Sequence, residues 1–153
     1  MKIYIRADSS ALIGSGHIIR CRNLARYLEK FGVDIYFICR EFENNMSENL
    51  LEEFQVIKLP IRKKQIKSLD KNQLYLNWLG CNEEQDASDT YKAIINKELG
   101  IPNYFLIDSY SIGINWQKKL IKEYKKEIKN IEFLNSLKFI FIDDLANREF
   151  QAD

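Results

Sequence analysis

The sequence predicts an α/β domain built on a doubly wound, mostly parallel sheet. Three observations lead there. Four short runs rich in β-branched and aromatic residues, Ile3–Ile5, Ile35–Cys39, Tyr104–Ile107 and Phe139–Ile142, are continuous rather than alternating, as strands covered on both faces must be. Segments of helical periodicity separate them, so the chain reads as strand and helix in alternation, the pattern of βαβ units with right-handed crossovers. Each of the four runs also ends in charged or hydroxyl residues, at the edge where open parallel sheets bind ligands.

Taken in order, Ile3–Ile5 leads through Ile13-Gly14-Ser15-Gly16-His17 into a helix whose Ile18, Cys21, Ala25 and Leu28 share one face, with Gly32 placed to stop it. Ile35–Cys39 follows. Val56–Leu59, closed by Pro60, is a weaker fifth strand. The stretch Ile61–Asn82 is the least patterned, and its Arg62, Lys63 and Lys64 read as a solvated surface. A helix is predicted over Glu83–Leu99, ended by Gly100 and Pro102, before the strand Tyr104–Ile107. Another starts near Ile114 and runs through the Lys-rich stretch Lys118–Lys129, before Phe139–Ile142. At 153 residues the chain has length for one full hydrophobic core, so residues 1–153 are expected to form a single domain.

Lys and Arg number 23 against 22 Asp and Glu, a net charge of +1, which supplies no electrostatic reason to expect nucleic acid or an anionic membrane as partner. A small molecule is the expected partner. Met1–Ala7 enters a strand directly, without the flank and cleavage site of a signal peptide, and no apolar run reaches membrane-spanning length. The three cysteines, Cys21, Cys39 and Cys81, include no C-x-x-C pair, and His17 is the one histidine. Neither a disulfide framework nor a Cys/His zinc site is expected, and a reducing cytoplasm fits.

Candidate functional residues follow the strand ends: Arg6, Asp8, Ser9 and Ser10 after the first run, Arg40 and Glu41 after the second, Asp108, Ser109 and Tyr110 after the third, Asp143 and Asp144 after the fourth. Strand ends meet solvent and carry charge for that reason too, so the signal lies in the coincidence across the set. The most pointed element is the turn Gly14-Ser15-Gly16. Its glycines let backbone approach a ligand closely, and a helix start offers free N–H groups and a positive dipole end to an anion. It is not a dinucleotide fingerprint, because Ile19 stands at the third glycine, and no G-K-[ST] makes it a phosphate loop. Nor is it the H-x-G-H motif of nucleotidyltransferases, because Ser15 stands at the earlier histidine. His17 falls in the first helical turn, where the dipole disfavours a positive imidazolium and favours the neutral ring that a general base requires. The other reading of His17 is a residue that caps or packs the helix start. Cys21 reads as a buried small hydrophobe, and Trp78 and Trp116 as packing residues.

The segment Arg6-Ala7-Asp8-Ser9-Ser10, followed by Ile13-Gly14-Ser15-Gly16-His17 and Arg20-Cys21, resembles the amino-terminal signature of the UDP-2,4-diacetamido-2,4,6-trideoxy-β-L-altropyranose hydrolases of pseudaminic acid biosynthesis. Three further stretches agree in order: Trp78-Leu79-Gly80 with Asp86-Ala87 and Thr90, Ile107-Asp108 with Tyr110, and Ile142-Asp143-Asp144-Leu145-Ala146 with Arg148. The resemblance implies a Rossmann-like amino-terminal lobe of a glycosyltransferase B type fold, with the active site in a cleft between two lobes. It implies a reaction in which water attacks the anomeric carbon of a UDP-linked sugar and UDP leaves, with no metal and no cofactor. It places His17 at the catalytic base. Substrate contacts would come from Gly14, Ser15, Gly16, Asp108 and Tyr110, with Tyr110 alternatively a loop residue packed over the sheet edge. Arg6 and Asp8 would pair to hold the glycine turn, or Asp8 would touch sugar hydroxyls. Asp143 and Asp144 would order the connection toward the second lobe, or form a solvated turn.

This sequence departs from the family pattern in two places. Ser109 stands where family members carry His between the Asp and the Tyr, and Asp153 closes the sequence before a second, nucleotide-holding lobe. A fragment, a disrupted reading frame or one piece of a split protein would each account for the latter, and a separate carboxyl-terminal lobe is then an expected partner. The competing class is a non-catalytic binding module that keeps the lobe fold.

Overall fold

The computed structural model describes residues 1–62, 75, 77–127, 137–145 and 147–152. Its elements are β1 (Lys2–Ala7), α1 (Gly16–Glu29), β2 (Asp34–Arg40), α2 (Ser47–Leu50), β3 (Gln55–Leu59), α3 (Glu83–Asn96), β4 (Tyr104–Asp108), α4 (Ile114–Glu127) and β5 (Lys138–Phe141). The five strands form one sheet in the order β3-β2-β1-β4-β5, with every pairing parallel. The chain builds outward from β1 on one side, then returns to build outward on the other. That reversal makes the carboxyl ends of β1 and β4 the topological switch point of a doubly wound, Rossmann-like sheet.

The strand period of two sorts the core into two layers. Ile3, Ile5 and Ala7 of β1, with Phe37 and Cys39 of β2, meet Ile18, Cys21 and Ala25 of α1 on one face. Tyr4, Ile38, Phe105 and Ile107 meet Ala87, Tyr91 and Ile94 of α3 and Trp116, Leu120 and Tyr124 of α4 on the other. Burial on both sides is why the runs are continuously apolar, and all five predicted strands are present.

Boundaries differ where local chemistry is specific. α1 closes as the sequence indicates, with Gly32 at φ +72° and its N–H on the Glu29 carbonyl at 2.9 Å. α3 stops at Asn96, ahead of the expected Leu99. Glu98 takes the left-handed position at φ 53°, its N–H bonds the Ile95 carbonyl at 2.9 Å, and the Leu99 N–H reaches Ile94 at 3.4 Å. This is a Schellman ending in which a glutamate occupies the place glycine usually takes, sealed by Ile94 and Leu99 in one core cluster. β5 is shifted one residue toward the amino terminus, although the Ile142 N–H still bonds Ile107 at 2.9 Å. The four-residue α2 was not expected, since one turn is too short to show a period. Arg62 is more than a solvated cation: it forks onto Asp89 at 2.9 and 3.2 Å. Lys63, Lys64 and Lys129 lie outside the described residues. Among those described, no helix is long and apolar enough to cross a membrane.

Candidate functional site

The turn after β1 is tied off before the helix begins. Gly14 donates to the Ser10 carbonyl at 2.8 Å, while the Ser10 hydroxyl accepts from Leu12 at 3.2 Å and Ile13 at 3.1 Å. Gly14 sits at φ +76°, and a Cβ built on Gly14 or Gly16 meets nothing within 4 Å. Both glycines therefore border open space. Ser15 is the N-cap of α1 but its side chain makes no capping bond, so the first-turn donors are left to water or a ligand.

His17, Arg20 and Cys21 lie at i, i+3 and i+4 on α1 and therefore share a face. That face meets the carboxylate of Asp108, the last residue of β4, which pairs with Ala7 at the end of β1. His17 Nδ1 lies 2.5 Å from Asp108 Oδ1. Arg20 forks onto the same carboxylate through Nε and Nη2, both at 2.5 Å, and the Cys21 thiol points at Oδ2 from 3.4 Å. Asp108 is fully buried. Burial by itself would raise its carboxyl, but the hydrogen bonds from Arg20 and His17 and their charges prevail and hold it below the usual carboxylate range. An ionised Asp108 accepts a proton-bearing Nδ1, which leaves Nε2 as the ring's acceptor.

Aromatic rings complete this corner. Tyr110 packs edge-on to the His17 ring at 4.8 Å, and Trp78 lies 6.2 Å from His17 and 5.8 Å from Tyr110. Trp78 is thus not only a packing residue, since it is half-buried beside the histidine. Trp116 does pack, fully buried where α4 meets the sheet, and its indole N–H bonds Asp86 at 2.8 Å. The Asp144 carboxylate beside the Tyr110 hydroxyl, together with burial, raises the phenol above its ordinary value. Asp143 bonds Arg148 at 2.8 Å, and the Arg148 guanidinium lies 5.8 Å from the Tyr110 ring centre. The two aspartates after β5 therefore order the residues around Tyr110. Ser109 shapes the same loop, its hydroxyl accepting from the Ser111 N–H at 3.3 Å.

Arg6 and Asp8 stand elsewhere. Alternation along β1 turns Arg6 to the α3 face, opposite the face that carries His17 and Asp108, and it is completely enclosed. Its guanidinium bonds Asp86 at 2.8 and 3.0 Å and Asp8 at 2.6 Å. Arg40, also enclosed, bonds Asp86 at 2.7 Å and Asp89 at 3.0 Å, and its N–H bonds Asp8 at 2.7 Å. The expected Arg6–Asp8 pair exists, but it ties β1 to β2 and α3 beneath the switch point and gives Arg6 no surface to offer a ligand. The second Asp8 oxygen is buried without a hydrogen-bond partner.

Of the residues expected at the site, the structure brings together His17, Asp108 and Tyr110 beside Gly14, Ser15 and Gly16, and sets Arg6 and Asp8 apart. Arg20 and Trp78 stand in the stretches that carry the resemblance, but neither is among the expected site residues, and the sequence reads Trp78 as packing. The spacing H-x-x-R on a helix was the available signal for Arg20; for Trp78 the resembling stretch Trp78-Leu79-Gly80 was the one signal, since no helical or strand period runs through it. All three cysteines are free and buried; burial pushes Cys39 up to about 12 and Cys81 to about 11, as expected of packing thiols rather than nucleophiles. Among the described residues no cluster of His, Cys, Asp or Glu is arranged to hold a metal. No protein-family model and no curated protein matches the chain.

Proposed function

We propose that this chain is the amino-terminal lobe of a nucleotide-sugar hydrolase that releases UDP from UDP-2,4-diacetamido-2,4,6-trideoxy-β-L-altropyranose, with His17 as general base. One observation carries the reading: the histidine of the glycine turn is held through Nδ1 by a buried carboxylate at the switch point, leaving Nε2 to take a proton. On this reading Nε2 accepts a proton from water as that water attacks the anomeric carbon and the bond to UDP breaks. The open first turn of α1 and the partly exposed Arg20 favour an anionic substrate. Tyr110 and Trp78 offer apolar walls suited to a deoxy sugar with acetamido groups.

Hydrolysis of the diacetamido sugar nucleotide, assayed with and without a second lobe from the resembling family, tests the proposal. Turnover that needs the second lobe and is lost in His17→Ala supports it; no turnover in either case refutes it. A non-catalytic binding module is the second reading, favoured by the low exposure of His17, 7%. Sugar-nucleotide binding without hydrolysis would select that alternative.

A further inference from the structure

We infer that Arg20 is the positioning residue of this site, compensating the charge of Asp108 so that His17 stays neutral with Nε2 bare. The inference rests on reading His17 as the base. Two contacts at the His17 Nδ1 compete. Asp108 Oδ1 is 2.5 Å away, and Arg20 Nη2 is 3.2 Å away. A bare Nδ1 would set its lone pair against a carboxylate oxygen at very short range, whereas a protonated Nδ1 donates a short, charge-assisted hydrogen bond to it. The proton therefore sits on Nδ1. A protonated Nδ1 has no lone pair left to accept from Arg20 Nη2, which donates to Asp108 Oδ1 at 2.5 Å, so the proximity of Nη2 to the ring is that of a charge and not of a second bond.

That charge matters because an ionised carboxylate against an imidazole favours the imidazolium, which cannot act as a base. Arg20 offsets it at the same carboxylate through a fork that lysine cannot reproduce. Among the described residues, the charged and titratable groups around the ring are Asp108 from β4, Arg20 and Cys21 from α1, and Tyr110 and Asp144 from the loops after β4 and β5. Arg20 is the cation of that set. Its side chain is 38% exposed, so it can be replaced without opening the core.

His17 is the one histidine in the chain, so ring nitrogen signals need no assignment. Long-range proton–nitrogen correlation spectra of the full ¹⁵N-labelled chain, recorded from about pH 5 to pH 9, read both tautomer and protonation. The unsubstituted chain is expected to show a protonated Nδ1 and a bare Nε2 when neutral. Arg20→Gln is expected to raise the ratio of protonated to neutral ring at a fixed pH by about tenfold. Arg20→Met, which keeps an aliphatic stem, is the second variant should the first fail to fold, and the same rise is expected. A folded variant whose ring titrates like that of the unsubstituted chain overturns the inference, as does a neutral ring protonated at Nε2. No substrate enters the measurement, so its outcome is separate from that of the hydrolysis assay.

Discussion

Asp108 and Asp86 are two buried carboxylates with different tasks. Asp108 faces α1 and gathers a histidine, an arginine and a thiol, whereas Asp86 faces β1 and β2 from α3 and gathers two enclosed arginines and an indole. Burial pushes the Asp86 carboxyl up, but Arg6 and Arg40 outweigh it and bring it down to about 2. A depressed carboxyl contributes stability above its unfolded value and loses it as pH falls. Urea unfolding should therefore show a loss between about pH 4 and pH 2 that Asp86→Asn lacks, on top of a general destabilisation of about 3–5 kcal/mol from removing the buried carboxylate that Arg6 and Arg40 share. Equal acid sensitivity in both proteins would show that the network is not the source. For His17 the expectation is functional. On the proposed reading, His17→Ala joined to a second lobe loses about 100-fold to 10,000-fold in turnover while still binding UDP, as stopped assays and calorimetry would report.

Two glycines separate backbone strain from crowding at the level of elements. Gly14 and Gly80 both have positive φ, +76° and +68°, but a Cβ on Gly14 meets open space while one on Gly80 would lie 2.7 Å from the Arg62 carbonyl oxygen and 3.2 Å from the Phe42 ring. Gly14→Ala should cost about 1–2 kcal/mol, the penalty of a left-handed alanine, and Gly80→Ala should cost more because a backbone atom must also move. Chemical denaturation midpoints rank the two; a larger effect at Gly14 would contradict the account. The role of Gly80 in Trp78-Leu79-Gly80 is thus conformational, closing the turn that leaves Trp78 beside His17. The same contrast explains what was legible. Helix α1 was readable from its apolar spacing, and His17, Arg20 and Cys21 followed its period. The turn carrying Trp78 had neither period nor run to read.

For the whole molecule, one group of exposed apolar side chains lies at the edge where the site opens, apart from Met1, Tyr27 and Phe31, which are exposed elsewhere. Leu12, Met46, Ile61 and Leu145, exposed at 80%, 50%, 57% and 42%, lie in the segments after β1, β2, β3 and β5. Under the proposed function this edge faces the second lobe. The 153-residue chain should then fold by itself, its two core layers being complete, yet bind UDP weakly and turn over little. Orienting the leaving group can be worth roughly 7–11 kcal/mol of a barrier, more than a correctly placed base still provides. Calorimetry with UDP and a UDP-release assay on the purified chain check this, and micromolar binding or steady turnover without a second polypeptide would contradict it.

The sequence by itself determined the alternation of strand and helix, the double-sided burial of the strands, and the placing of Asp108 and Tyr110 at a strand end and of His17 at the start of a helix, because each follows from local periodicity and from the geometry of parallel sheets. Only the tertiary structure decided which strand-end charges share a site. A strand turns successive side chains to opposite faces, so Arg6 and Asp108, both at carboxyl ends of neighbouring strands, are divided by the sheet they belong to. Arg6 goes to a buried network with Arg40 and Asp86, and Asp108 goes to His17 and Arg20. Such partnerships depend on which helix covers which face, and contacts between residues as distant in sequence as Arg6 and Asp86 have no local signature to read.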